Sequence, residues 1–175
     1  MNIRKSVTAI LVVVLLFAVA GCADKSFDPA SVEYITVMSV IPDPAKYEVF
    51  VMTPDCLVKE YDFSLYWMNN AFDYFSDPLP SETEYILRDH HITESAWNNI
   101  TEVLRENRFL ELPEELKPVN GQDFGSYYIE VKVNGDIHKS GGYGAGYNND
   151  LSSKSFKKTW DEIWGHMAIM RPIRY

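Results

Sequence analysis

The stretch SYYIEVKVNGDIHKS, residues 126 to 140, decides the fold. Ile129, Val131 and Val133 alternate with Tyr128, Glu130 and Lys132, the two-residue period of a strand with one face on a core. Asn134-Gly135 follows, and these are the residues that most readily take the positive φ angles of a type I′ turn. The segment therefore reads as a β-hairpin. A two-residue turn sets Glu130 opposite Lys139 and leaves Ile137 on the charged face; a three-residue loop sets Ile137 beside Val133 instead, and the alternation permits both.

Working outward, Val32 to Ile41 and Tyr47 to Thr53 are rich in Val, Ile, Tyr, Phe and Thr, with Pro42-Asp43-Pro44-Ala45-Lys46 between them, so they read as two strands joined by a rigid turn. Leu57 to Leu65 alternates and reads as a third strand. Tyr66 to His91 is aromatic and acidic, contains Pro78 and Pro80, and shows no sustained period; it reads as an irregular connection with one helical turn around Asn69 to Phe75. A helix follows. Thr93 can accept from the free amides of its first turn, Ile92 can staple onto Trp97, and Trp97, Ile100 and Leu104 share one face. Pro113 and Pro118 restrict anything helical after Asn107 to short turns. The last element, about Ser153 to Met167, carries Phe156, Trp160, Ile163, Trp164 and Met167 as a wide apolar stripe, with Ser152 or Ser153 as its cap and Pro172 beyond it. Strands and helices in this order imply an α+β domain: a mostly antiparallel sheet of four to five strands with two amphipathic helices packed on one face.

The N-terminus has a different grammar. Arg4 and Lys5 precede an uncharged run from Val7 to Ala20 of about 14 residues, roughly 21 Å as a helix, which is short of a hydrocarbon core of about 30 Å. Charge, apolar run and small residues in that order make a secretory signal. The run ends in Val19-Ala20-Gly21-Cys22, which resembles the lipobox of bacterial lipoproteins, where the Cys sulfur receives a diacylglyceryl group and cleavage frees its amine. The resemblance implies a signal peptide over 1–21, a lipidated Cys22 with a tether over 22–31, and a single domain over 32–175. It implies an extracytoplasmic, lipid-anchored location on the bacterial cell membrane. Ala23 is not the Asp of the enteric retention pattern, so in a two-membrane host the outer membrane is implied. The mature part resembles only small lipoprotein domains of unknown function.

Charge and cysteine count exclude more than they assign. The formal charge is −9, and loss of residues 1 to 21 takes Arg4 and Lys5 but no acid, giving −11 for the mature chain. Nucleic acid is not an expected partner of so acidic a domain. The membrane is a partner through the lipid, and an envelope protein or small ligand is the other candidate. Cys56 is the second of two cysteines, so lipidation of Cys22 leaves no intrachain disulfide.

The most unusual mature segment is Gly141-Gly142-Tyr143-Gly144-Ala145-Gly146-Tyr147. It lacks the Gly-Lys-Ser/Thr and the spacing of phosphate loops and reads first as a tight strand-to-helix connection. In a binding role, Tyr143 and Tyr147 supply contact area while Gly142 and Gly144 allow close approach, together with the aromatic stretch Tyr66 to Phe75. Asp89-His90-His91 resembles the short signature of the DHH phosphoesterases, but adjacent histidines on an extended chain point to opposite sides and seldom share one metal. Cys56 and His138 make a conceivable nucleophile and base, with Asp136 or another acid to orient the ring, yet nothing near Cys56 would activate it, so a buried, inert thiol is expected and His138 reads as a surface or edge residue. Glu111, Glu114 and Glu115 read as a solvated acidic loop. No coherent catalytic set, cofactor or metal is indicated. The expectation is a non-enzymatic binding module of the envelope, with a small hydrolase or transferase using Cys56/His138 or His90/His91, and an inhibitor or immunity-type lipoprotein, as the alternatives.

Overall fold

The computed structural model describes residues 27–42, 46–67, 72–121 and 124–170, with side chains through 168. The signal peptide, the lipobox with Cys22, the centre of the Pro42 to Lys46 turn and Asn69 to Ala71 lie outside the described residues.

Six strands form one antiparallel sheet: β1 (Val32–Ile41), β2 (Lys46–Met52), β3 (Leu57–Asp62), β4 (Ile86–His91), β5 (Ser126–Val133) and β6 (Asp136–Tyr143). Their order across the sheet is β4-β3-β2-β1-β5-β6. The first four form a meander, and the chain then crosses to the other side of β1 to add the hairpin. The α+β expectation holds, with six strands instead of four to five. The strand that periodicity missed is β4, inside the supposed irregular connection. It is an edge strand whose Ile86 and Leu87 are both exposed, so no core imposes the alternation that reveals a strand. β3 ends at Asp62, short of Leu65, where Asp62 Oδ1 accepts from the Ser64 amide at 3.1 Å and hydroxyl at 2.6 Å and starts the short helix α1 (Ser64–Trp67).

The hairpin takes its two-residue form. Asn134 and Gly135 have φ of 52° and 86°, Glu130 pairs with Lys139, and Ile137 stands on the charged face, 59 % exposed. The Gly135 amide donates to Glu33 Oε1 at 2.6 Å, which ties the turn to β1.

Both long helices cover the same face of the sheet, as expected. Helix α2 (Glu94–Glu106) is capped by Thr93, whose hydroxyl accepts from the Ala96 amide at 3.1 Å, and it buries Trp97, Ile100 and Leu104. Helix α3 (Leu151–Met170) starts two residues before Ser153, because Asp150 is the cap: its carboxylate accepts from the Ser153 amide at 2.9 Å and hydroxyl at 3.0 Å. Those bonds, with the open amides of the first turn, hold the Asp150 carboxyl below its usual range. Phe156, Ile163 and Met167 pack on Ile35, Val37, Phe50 and Ile129, while Trp160 and Trp164 stack on each other at 5.4 Å and bear on Tyr127 and Phe50.

The opposite face is covered too. Residues 63–67 and 72–85 lie over β1, β2 and β3, and Phe63, Phe72, Tyr74 and Tyr85 form a second core with Met38, Tyr47 and Val49. Apart from the short helix α1, the described part of this layer is made of rings without regular structure. Tyr47 pins it: its hydroxyl donates to Met38 Sδ at 3.1 Å and accepts the Tyr74 amide at 2.8 Å. Burial pushes that phenol up to about 12.

The two edges of the sheet differ. Beside β6 the chain from Pro113 to Leu116 adds a short parallel bridge, with Leu116 N donating to Gly141 O at 2.8 Å and Gly141 N to Glu114 O at 3.1 Å. Among the described residues no strand lies beyond β4.

Candidate functional site

The residues singled out in the sequence are mostly dispersed. Cys56 sits in the turn between β2 and β3 at φ 66°, half-buried instead of buried, because the turn needs a left-handed residue there. His138 is on β6, four strands from β3, and at about 4.8 Å per strand that is roughly 19 Å across the sheet, so these two do not form a dyad. His138 is an edge residue, as expected, though half-buried with its ring edge-on to Phe109 at 5.5 Å. His90 and His91 point to opposite faces of β4. His90 lies 2.8 Å from Glu60, which also takes Arg88 at 2.8 Å; the Glu60 side chain is 5 % exposed, so this is an ion-pair cluster inside the packing and not a cleft. Among the described residues no three His, Cys, Asp or Glu side chains are arranged to hold a metal ion.

The glycine segment is shaped by close contacts. A Cβ on Gly141 would stand 2.2 Å from Tyr127 O, and one on Gly144, at φ 62°, would stand 3.1 Å from the Val119 side chain. Gly142 is buried beside the backbone of Leu116. Tyr143 braces the loop before β5, donating to Gly121 O at 2.7 Å and accepting the Phe124 amide at 3.3 Å. Tyr147 is 52 % exposed and packs on Phe124 and Tyr127, on the side of α3. Both rings meet Phe124, Tyr143 at 6.4 Å and Tyr147 at 5.2 Å, and strand alternation sets Tyr143 on the ring-covered face.

That face holds the arrangement with the most chemistry. Between the ring layer and the Pro113 to Leu116 segment runs an open groove of about 340 Å³. Its floor is Val40, Ser126 and Tyr128; Trp67, Phe72 and Phe75 form one wall, and Glu114 and Glu115 stand on the other. Asp73 adds a third carboxylate at the mouth, and Lys139 is the cation among the lining residues. The Lys139 ammonium lies over the Phe75 ring at 4.7 Å and near the Tyr128 ring at 5.8 Å. No family model and no curated protein matches this chain.

The floor and its surroundings are electrostatically strained. Burial, with Glu115 and Asp73 nearby, raises the Tyr128 hydroxyl above its ordinary value. Beside the groove, burial and the Glu130 carboxylate push Tyr34 up to about 12, and Tyr34 donates to Glu130 at 3.1 Å. Burial raises Glu130 itself, against the opposing pull of Tyr34 and Lys139. A carboxyl raised by folding binds its proton more readily in the folded chain, so protonation stabilises as pH falls through the folded value, and the ionised form carries a cost at neutral pH. Glu130→Gln keeps an acceptor for Tyr34 and removes the charge. It is expected to raise Tm at pH 7, with the gain shrinking as the pH approaches the range where Glu130 protonates; a lower Tm at pH 7 would show that the attraction of Lys139 outweighs burial.

Sequence reasoning marked the aromatic stretch Tyr66 to Phe75 and the Glu130–Lys139 pair, but not the groove they border. Nor did it mark Glu114 and Glu115 as its rim. The available signal was the strand pair: Tyr128 and Lys139 share a face with the apolar side chains of Met38 and Val40, which something had to cover.

Proposed function

We propose that this chain is an extracytoplasmic lipoprotein, held to a membrane by lipid on Cys22, whose domain is a non-enzymatic binding module that engages an envelope partner through the aromatic groove. One observation carries the binding part: ring floor, carboxylate rim and a single ammonium converge from separate stretches of chain into an open concavity, whereas the nucleophile and base candidates lie apart. Aromatic side chains at a solvent-open site are the usual anchors of protein interfaces. The anchoring part is supported by the order of residues 1 to 22. Among the described residues no helix is long and apolar enough to cross a membrane.

Both parts are open to test in the native bacterium. Cys22→Ala is expected to leave full-length precursor that incorporates no labelled fatty acid; normal labelling removes the anchor. A photo-reactive amino acid placed at Glu115 or Asp73 is expected to yield discrete protein adducts that are absent when it is placed at Asn99, exposed on α2. Equal yields at all three positions would discard the groove as the contact surface.

A further inference from the structure

The chemistry of the groove says what kind of partner suits it. We infer that it receives an extended, lysine- or arginine-bearing segment of a partner protein, and that Lys139 occupies the cation seat until that segment arrives. This deepens the binding reading above and rests on it.

Three observations converge. First, the rings of Phe75 and Tyr128 already hold an ammonium, that of Lys139, which shows that their faces suit a cation. Second, Asp73, Glu114 and Glu115 surround the same space and are all exposed, so the mouth carries three carboxylates against one lysine and its field favours an incoming cation. Third, β1, β5 and β6 supply Val40, Ser126, Tyr128 and Lys139 between the ring wall and the Pro113 to Leu116 backbone. The concavity is open to solvent and bounded on two sides, which suits a chain segment lying across it, unlike the closed cage that a small ammonium ligand needs. Lys139 has alternative company, because Glu130 faces it across the hairpin. An arriving cation can therefore displace its ammonium from the rings without stranding the charge.

The test uses the detergent-solubilised full chain and two fluorescein-labelled nonapeptides of Gly, Ser and Leu, one carrying two lysines and the other two glutamates at the same positions, read by fluorescence polarisation. The lysine peptide is expected to bind, with affinity falling as salt is raised. Glu114→Gln with Glu115→Gln should weaken it about tenfold or more, and both side chains are exposed, so folding is not at stake. Lys139→Met, which keeps length and apolar contact but removes the competing ammonium, should tighten binding several-fold.

Weaker or unchanged binding in Lys139→Met overturns the inference, since Lys139 would then be an anchor or a strut. Preferential binding of the glutamate peptide overturns it too and leaves the groove as a site for anionic partners. Choline chloride displacing the lysine peptide at equal concentration would mean a small-ammonium site and not a protein-segment site. If neither peptide binds while the cellular adducts still map to Glu115, the cationic assignment fails and the groove stands; if the adducts vanish as well, both fail.

Discussion

Phe63→Ala is expected to lower the unfolding free energy by about 3–5 kcal/mol, the usual range for emptying a fully buried phenylalanine site. Phe63 is fully buried, and its ring meets those of Tyr47, Tyr61, Phe72, Tyr74 and Tyr85 at centroid distances between 5.0 and 6.0 Å. These neighbours belong to two strands and to the irregular layer, so the hole falls where that layer is joined to the sheet. The layer's hydrogen bonds include local turns, such as those from Ser76 and Asp77 to Asp73 O, which close within a few residues and do not replace the lost ring contacts. Urea denaturation should show the destabilisation, and hydrogen exchange should show the amides of residues 72 to 77 losing protection first. Phe156→Ala, on the helical face, serves as the control, with a similar loss of stability but unchanged local exchange at 72 to 77. A cost under about 1 kcal/mol for Phe63→Ala would mean that the rings are loosely laid on the sheet and are not a second core.

Gly141→Ala is expected to cost about 3 kcal/mol or more, beyond what exposed glycine substitutions cost. The added methyl would lie 2.2 Å from Tyr127 O and 2.7 Å from Tyr128 Cα, both backbone atoms of the neighbouring strand, so β5 and β6 would have to separate locally. That separation would also disturb the bridge from Gly141 to Glu114 and Leu116, and with it the rim of the groove. Gly135→Ala provides the comparison. There the methyl meets nothing within 4 Å and only the positive φ of 86° is penalised, by about 1–2 kcal/mol. Thermal denaturation of the two variants side by side decides the matter: equal costs would show that the close approach at Gly141 is not limiting.

The parts of the fold that announce themselves in the sequence are those whose period is set by one buried face. The hairpin Ser126 to Tyr143, helix α2 behind Thr93 and the stripe on α3 are of this kind. Strand β4 is not, because an edge strand with Arg88 and His90 turned toward Glu60 is patterned by a partner 28 and 30 residues earlier. The covering of the second face was legible in another way. In β1, Ile35 to Ser39 are all buried, and in β2 so are Tyr47 to Phe50. Runs of that kind, buried on both alternations, require a layer on each side of the sheet. Only the aromatic stretch after β3 was available to supply the second. Its place could be inferred from that demand, but its shape could not, since ring packing leaves no period in the chain. The groove is a product of that shape and so was out of reach of pattern reasoning.

The unequal treatment of the sheet's two margins limits how this molecule can join others of its kind. At one margin Pro113 to Leu116 have used the available amide and carbonyl of Gly141, while at the other Ile86 to His91 present a bare ladder next to the exposed Leu87. Main-chain pairing with a second chain is therefore open along β4 among the described residues and obstructed at the Gly141 end of β6. Edge-to-edge growth that needs both margins thus meets a hindrance at one of them.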